Sequence, residues 1–290
     1  MSSNEIAILH RGTIGDAKAI GAHAKRVQHV AQFGGTTPKA YTEALAKWRA
    51  WSAEQTSPLE ALADAYRDGA DETTLATLRA AALLAEVTTP EAEGRVHRSV
   101  APVARQQLHD AYHTVASRNY NKIRDQFNAT ANDFIAHTAI VDPESDAKTL
   151  VSASDEVRTA WLNAEVLAGK LDALTDALAD AAILAGTKIN NQPDKFGLVV
   201  NAEGVHRREA WTAWNTSNNR CGRWSALHQL GCELRAAELG EHKPYREARP
   251  LEKRHVRGRF GVRTVTIDPE SGDADEQVQL NADEKLITLV

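Results

Sequence analysis

The segment His109-Asp-Ala-Tyr-His113 sets two imidazoles four residues apart. Histidines at i and i+4 share a helix face and can share a metal ion. The pattern is similar to the zincin H-E-x-x-H, but Asp110 stands where a glutamate would act as general base. Its shorter side chain reaches less far toward a bound water, and no third-ligand motif follows. The expectation is a surface or interface pair of histidines and no metal site.

Cys221, His228 and Cys232 form a second candidate, spaced i, i+7 and i+11. On one helix they share a face, but at about 1.5 Å rise per residue the outer two stand about 16 Å apart. Zinc bonds of about 2.0–2.3 Å cannot join all three. Small buried thiols in a packing face are the expectation. Two cysteines in 290 residues give no disulfide framework and point to a reducing compartment. Gly12-Thr-Ile-Gly15-Asp-Ala-Lys18 suggests a phosphate-binding turn. It lacks the spacing of either Gly-rich nucleotide motif and the strand–helix alternation behind one, so it reads as a plain turn into a helix. These residues supply no catalytic assignment and no cofactor.

Charge is the stronger signal. Residues 205–263 hold thirteen Lys/Arg and six Asp/Glu, a net +7, and residues 264–290 hold one Lys and seven Asp/Glu. The densest part contains Lys243, Arg246, Arg249, Lys253, Arg254, Arg257, Arg259 and Arg263. Such a run can contact nucleic-acid phosphates or dock on an acidic partner subunit. The adjacent acidic tail favours docking or a self-neutralised surface over nucleic acid. Trp211, Trp214 and Trp224 lie among Arg207, Arg208, Arg220 and Arg223. That mixture can stack bases, but Trp pairs at i, i+3, as at Trp48/Trp51 and Trp211/Trp214, more often pin helices together.

The elements that must carry these residues are mainly helical. Glu5–His10 reads as a short strand, then a helix from Asp16 to about Gln32 ends at Gly34-Gly35. Thr37-Pro38, Ser57-Pro58, Thr89-Pro90 and Asp142-Pro143 each place a capping side chain before a proline suited to a first helical turn. Helices are predicted over 38–54, 58–68, 72–87 and from 90 onward. A long stretch over 99–138 is interrupted by Asn119 and turns back near 141–145 into a second long helix, an αα-hairpin spanning about 99–185. The second helix carries an apolar heptad seam through Leu150, Val157, Leu167, Leu171, Leu174 and Leu178, started by Asp142-Pro143 and stopped by Gly186. Beyond it, Phe196–Val200 reads as a strand, 203–217 and 222–239 as helices, and 242–258 as irregular and basic. Phe260–Ile267, Gln277–Leu280 and Leu286–Val290 read as a three-stranded meander.

The fold class is therefore mainly α: a multi-helix bundle with a long antiparallel hairpin and a small C-terminal β meander or arm. Three regions follow: 1–36 (strand, turn, helix), 37–240 (helical bundle) and 241–290 (basic linker plus β arm). A composition 42% hydrophobic but only 6% aromatic suits close-packed, alanine-rich helices. No leader-like segment and no apolar run long enough to span a bilayer stands out, so a cytoplasmic or particle-associated protein is expected. The functional expectation is a non-enzymatic structural or assembly protein, such as a virion component. It would self-associate as a homo-oligomer or dock on a larger complex through its helical body and charged arm, away from membranes. The alternatives are a nucleic-acid-binding protein using 205–263, and a metal-dependent enzyme.

Overall fold

Helices start at Pro58 and Pro90, as the sequence places them, whereas Ser57 makes no side-chain cap bond and Pro38 itself is the cap before Lys39. In the computed structural model, which describes residues 14–53, 57–216, 218–258, 261–271 and 285–287, the early helices are α1 (Ile14–Gln32), α2 (Lys39–Ser52), α3 (Pro58–Arg67), α4 (Glu72–Val87) and α5 (Pro90–Ile140). Asp71 caps α4 by accepting from the Thr74 amide. The chain forms two compact units, Met1–Tyr120 and Asn121–Val290, and α5 runs through the boundary.

In the first unit Ile20, Val27 and Val30 of α1, Tyr41 and Trp48 of α2, and Leu108, Tyr112 and Tyr120 of α5 are buried. Asn119, which breaks the apolar stripe, is buried for a reason. Its side-chain amide pairs with the backbone of Thr36 in both directions, each bond 2.8 Å, and also donates to the Tyr112 hydroxyl. A buried amide with its bonds made costs little and fixes the loop between α1 and α2 in register.

In the second unit the rest of α5 forms a long antiparallel pair with α6 (Asp155–Leu184). The turn between them departs from the sequence reading. Asp142 and Pro143 do not open the second helix. Asp142 instead accepts from the Glu144 amide in a turn, a 3-10 segment spans Ala147–Leu150, and Ser154 caps α6. Leu150 is thus buried ahead of the helix rather than within its seam. Val157 and Leu167 are half-buried, and Leu171, Leu174 and Leu178 are fully buried. From Leu171 onward nearly every side of α6 except Asp172, Ala173 and Asp176 is at least partly covered, as a central bundle helix requires.

Next come α7 (Gln192–Val199), β1 (Val200–Asn201), α8 (Arg207–Trp214), α9 (Gly222–Gln229) and β2 (Glu233–Leu234). Residues 196–199 are helical, not a strand, because Asn191 caps α7 through the Asp194 amide and Pro193 sits in its first turn. Residues 230–239 are not helical, because Gly231 adopts φ of 81°, which a glycine tolerates and which ends α9. β1 and β2 pair antiparallel, Val200 opposite Leu234. Asn128 of α5 holds the segment after β2 by accepting from the Ala236 amide at 2.8 Å.

A second sheet follows, in the order β4 (Gly261–Ile267), β3 (Glu252–Gly258), β5 (Lys285–Ile287). The basic stretch expected to be irregular therefore contains the middle strand. Glu252 pairs with Ile267 and Gly258 with Gly261 along an antiparallel hairpin, and β5 joins the other edge of β3. The expected strands Glu5–His10 and Gln277–Leu280, residues 288–290, and Arg259 lie outside the described residues.

Candidate interaction surface

The basic segment starts as a strap laid over α7. Tyr245 fixes it. Its amide donates to the Pro193 carbonyl at 2.9 Å and its hydroxyl to the Arg207 carbonyl at 2.7 Å. Its ring lies 4.1 Å from that of Phe196 and is stacked on Trp211 at 5.7 Å. Burial pushes the phenol up to about 12, so it stays a hydrogen-bond donor. Gly197 permits the close approach, because a methyl group there would overlap the Lys243 carbonyl oxygen. The exposed Lys243 and Arg246 help line an open cleft of about 590 Å³, with Asn201, Glu203, Arg207 and Arg235.

The next arginines are locked by the acidic turn after β4. Arg208 forks onto Asp268 with bonds of 2.5 and 3.0 Å and also donates to the Arg249 carbonyl. Arg207 and Arg249 meet Glu270 at 3.1 and 3.2 Å, and the Arg249 guanidinium reaches the Pro269 carbonyl. His206 joins the group, 2.7 Å from the Ser271 hydroxyl. The Arg208 hydrogen bonds hold the Asp268 carboxyl down at about 2, below the ordinary 3.8. The Glu270 carboxyl is also lowered, first by the Arg249 amide. This knot ties the open end of the β3–β4 hairpin to α8.

Beyond the knot the cations face outward. Register and alternation place Lys253, His255 and Arg257 on one face of the ribbon, with Thr266, Thr264 and Val262. All six are exposed except the half-buried His255. The opposite face carries Arg254, Arg263, the half-buried Val265 and the buried Val256 and Ile267. Arg254 has an exposed ion pair with Glu252. Of the eight cations expected to act together, the seven that are described are thus split between strap, knot and ribbon.

The other candidate residues are placed as follows. Arg220 stacks on Trp161 at 3.4 Å and donates to Glu165, and Arg223 lies over Trp214 at 4.4 Å. Trp214 and Trp224 are buried, so this group is packing rather than a platform for bases. Cys221 and Cys232 are both buried free thiols, and Cys232 lies beyond the end of α9. Burial, aided by Glu144, pushes the Cys221 thiol up to about 11, and burial raises that of Cys232, the reverse of what a nucleophile needs. His109 and His113 stack at 6.1 Å between ring centroids. No group of three or more potential metal ligands occurs among the described residues. Gly12 and Thr13 of the Gly-rich turn lie outside the described residues, and Gly15 is already in α1.

Three features carried little or no sequence signal. Glu144 crosses to α9, accepting from the Arg220 and Cys221 amides and the Ser225 hydroxyl at 2.7, 3.0 and 2.6 Å. Its carboxylate caps the positive end of that helix from 76 residues away. His23 and Tyr41 sit 3.1 Å apart in the first unit. Burial, then the charges of His109 and Arg26, hold His23 down at about 4, and burial raises Tyr41 to about 12. Both are neutral at pH 7 and weak as base or acid there. The Asp268–Glu270 knot is the third, and only the basic-then-acidic charge order hinted at it. Comparison with protein-family models, characterised proteins and solved structures finds no match to this chain.

Proposed function

We propose that this protein is a non-enzymatic structural or assembly component that docks on an acidic partner surface, in a larger complex or on another copy of itself, through its C-terminal ribbon. The sorting of cations carries this reading. Arg207, Arg208 and Arg249 are spent on Asp268 and Glu270, which fasten the ribbon. Lys253 and Arg257 stay exposed on one face of it, and Lys243 and Arg246 on the strap. A fastened base under an exposed charged face is the arrangement a docking arm needs, and charge complementarity then sets partner choice and encounter rate. The perturbed thiols, phenols and imidazole are all driven toward neutral forms, which supports a role without covalent chemistry.

The test is co-purification of the native protein with its partners, compared with the double variant Lys253→Glu/Arg257→Glu. Loss of a salt-sensitive complex in the variant is the expected result. An unchanged complex would overturn the reading. A second reading rests on the same exposed cations, since Lys and Arg side chains can also neutralise nucleic-acid phosphates. Retardation of DNA or RNA at low salt, falling steeply as salt rises, would favour it over protein docking.

A further inference from the structure

We infer that the open cleft beside the strap is a binding site for a small phosphate ester whose far end carries hydroxyl donors, the class of the sugar phosphates. The inference does not rest on the docking reading. Of the exposed cations named there it uses only Lys243 and Arg246, and it leaves the ribbon face to the partner. The cleft holds about 590 Å³, within the usual span of small-molecule sites. Its walls all belong to the second unit, and each is pinned. The Tyr245 amide and hydroxyl hold the strap. In the turn after β1 the Glu203 amide donates to the Asn201 side chain at 3.1 Å and the Val205 amide to the Ala202 carbonyl at 3.2 Å. After β2 the Arg235 and Ala237 amides donate to the Val199 and Leu198 carbonyls at 3.1 and 2.9 Å. Walls fixed before binding lose little entropy when a ligand enters.

Charge defines the ligand. Lys243, Arg246 and Glu203 are exposed and line the cleft, yet none of these three side chains has an ion pair or hydrogen bond among the described residues. The other charged groups of the lining are spent, Arg235 on Glu241 at 2.9 Å and Arg207 on Glu270 at 3.1 Å. Two cations and one carboxylate therefore border the same space without meeting. An occupant that is anionic along its whole length would set its charge against Glu203. A phosphate on Lys243 and Arg246, with a hydroxyl donating to Glu203, satisfies all three. Guanidinium and ammonium groups donate to phosphate oxygens, and an ionised carboxylate only accepts. A base would find little to stack on, because Tyr245, the aromatic residue of the lining, has its ring packed on Phe196 and Trp211. That favours a sugar phosphate over a nucleotide.

The experiment is calorimetric titration of the whole chain with ribose 5-phosphate, glycerol 3-phosphate and inorganic phosphate, with ligand-observed magnetic resonance as the second readout. Saturable binding of both esters, each tighter than inorganic phosphate, is the expected result. Lys243→Gln/Arg246→Gln should weaken the esters by about tenfold or more, through the loss of charge-assisted bonds. Glu203→Ala should weaken them by about fivefold and leave inorganic phosphate at least as tight. These side chains are exposed, so the folds survive, and far-ultraviolet circular dichroism checks this. Absence of binding by all three probes at about 10 mM overturns the inference. So does ester binding that ignores Lys243→Gln/Arg246→Gln but is lost in Lys253→Glu/Arg257→Glu, which assigns the phosphate to the ribbon. Tighter binding of polyglutamate than of either ester also overturns it and gives the strap to the acidic partner.

Discussion

The α3–α4 hairpin and the segment from α7 to β4 are held by opposite means. The hairpin has almost no core of its own. No residue of α3 is fully buried, and in α4 only Ala82 is. Its described side-chain bonds are local, such as Arg67 to Asp64 and Thr74 to Asp71. The later segment interlocks across long sequence distances, through Phe196, Trp211, Trp214, Trp224 and Tyr245 and through a charged knot around Asp268 and Glu270. Fewer fixed contacts leave the hairpin's surface available, while the interlocked segment has used most of its side chains on itself. The later segment therefore carries the larger share of the fixed packing.

The largest test of that contrast pairs one core and one surface truncation. Trp224→Ala removes a fully buried ring packed on Phe127 and Trp214 and bonded to Asp172. It should cost about 3–5 kcal/mol in denaturant unfolding. Leu84→Ala, at an exposed side chain, should stay within about 0.5 kcal/mol. A similar cost for both would erase the distinction.

Glu144→Ala comes next. It strands the Arg220 and Cys221 amides at the start of α9, while the Ser225 hydroxyl keeps the Gly222 carbonyl, and should cost about 1–3 kcal/mol. Glu144→Gln, which keeps an acceptor oxygen, should recover part of this by the same measurement.

Acid separates the two units by pH window. His23 titrates at about 4 folded against 6.5 ordinarily, so the unfolded chain takes up the proton first. The stability that His23 contributes to the first unit should be lost as pH falls from 6.5 toward 4, and its share should not change further below that. Asp268 titrates at about 2 against 3.8. The contribution of its pair with Arg208 is complete above the ordinary value and is lost as pH falls toward 2. Amide exchange in α1 and in β4, followed against pH, should show these two steps, with His23→Gln removing the first and Asp268→Asn the second. The smallest expected effect is on the ribbon, where Lys253→Glu/Arg257→Glu should leave thermal unfolding within about 0.5 kcal/mol of the parent.

Local signals fixed much of the helical layout in advance. Proline at the helix start placed α3 and α5, and the α4 bounds agree with the apolar period. The failures share a cause, which is dependence on distant partners. Glu252–Gly258 shows no apolar alternation and becomes a strand only because β4 lies beside it. Phe196–Val199 looks strand-like by residue type, yet a cap and a proline in the first turn make it helical. The apolar period extends back to Leu150, but Ser154 supplies the cap that starts α6. Within the candidate surface the basic run was plain, but its division into paired and exposed cations was not, because Asp268 and Glu270 choose their partners through folding. Apolar stripes gave α3 and α4 a covered face, while the number of covered faces depends on what lies around them.

The Glu144 cap also orders events in time. Its three acceptor contacts span 76, 77 and 81 residues, and the Asn128–Ala236 bond spans 108. Separations of this size slow folding, because the chain loses entropy before the contacts form. During synthesis α9 emerges long after the α5–α6 turn and meets its cap already in place. Phe196 and Trp211, by contrast, must wait for Tyr245 to leave the ribosome before their rings are covered. The second unit therefore finishes its core with the strap, and a nascent chain stopped before residue 245 would expose that aromatic cluster to chaperones.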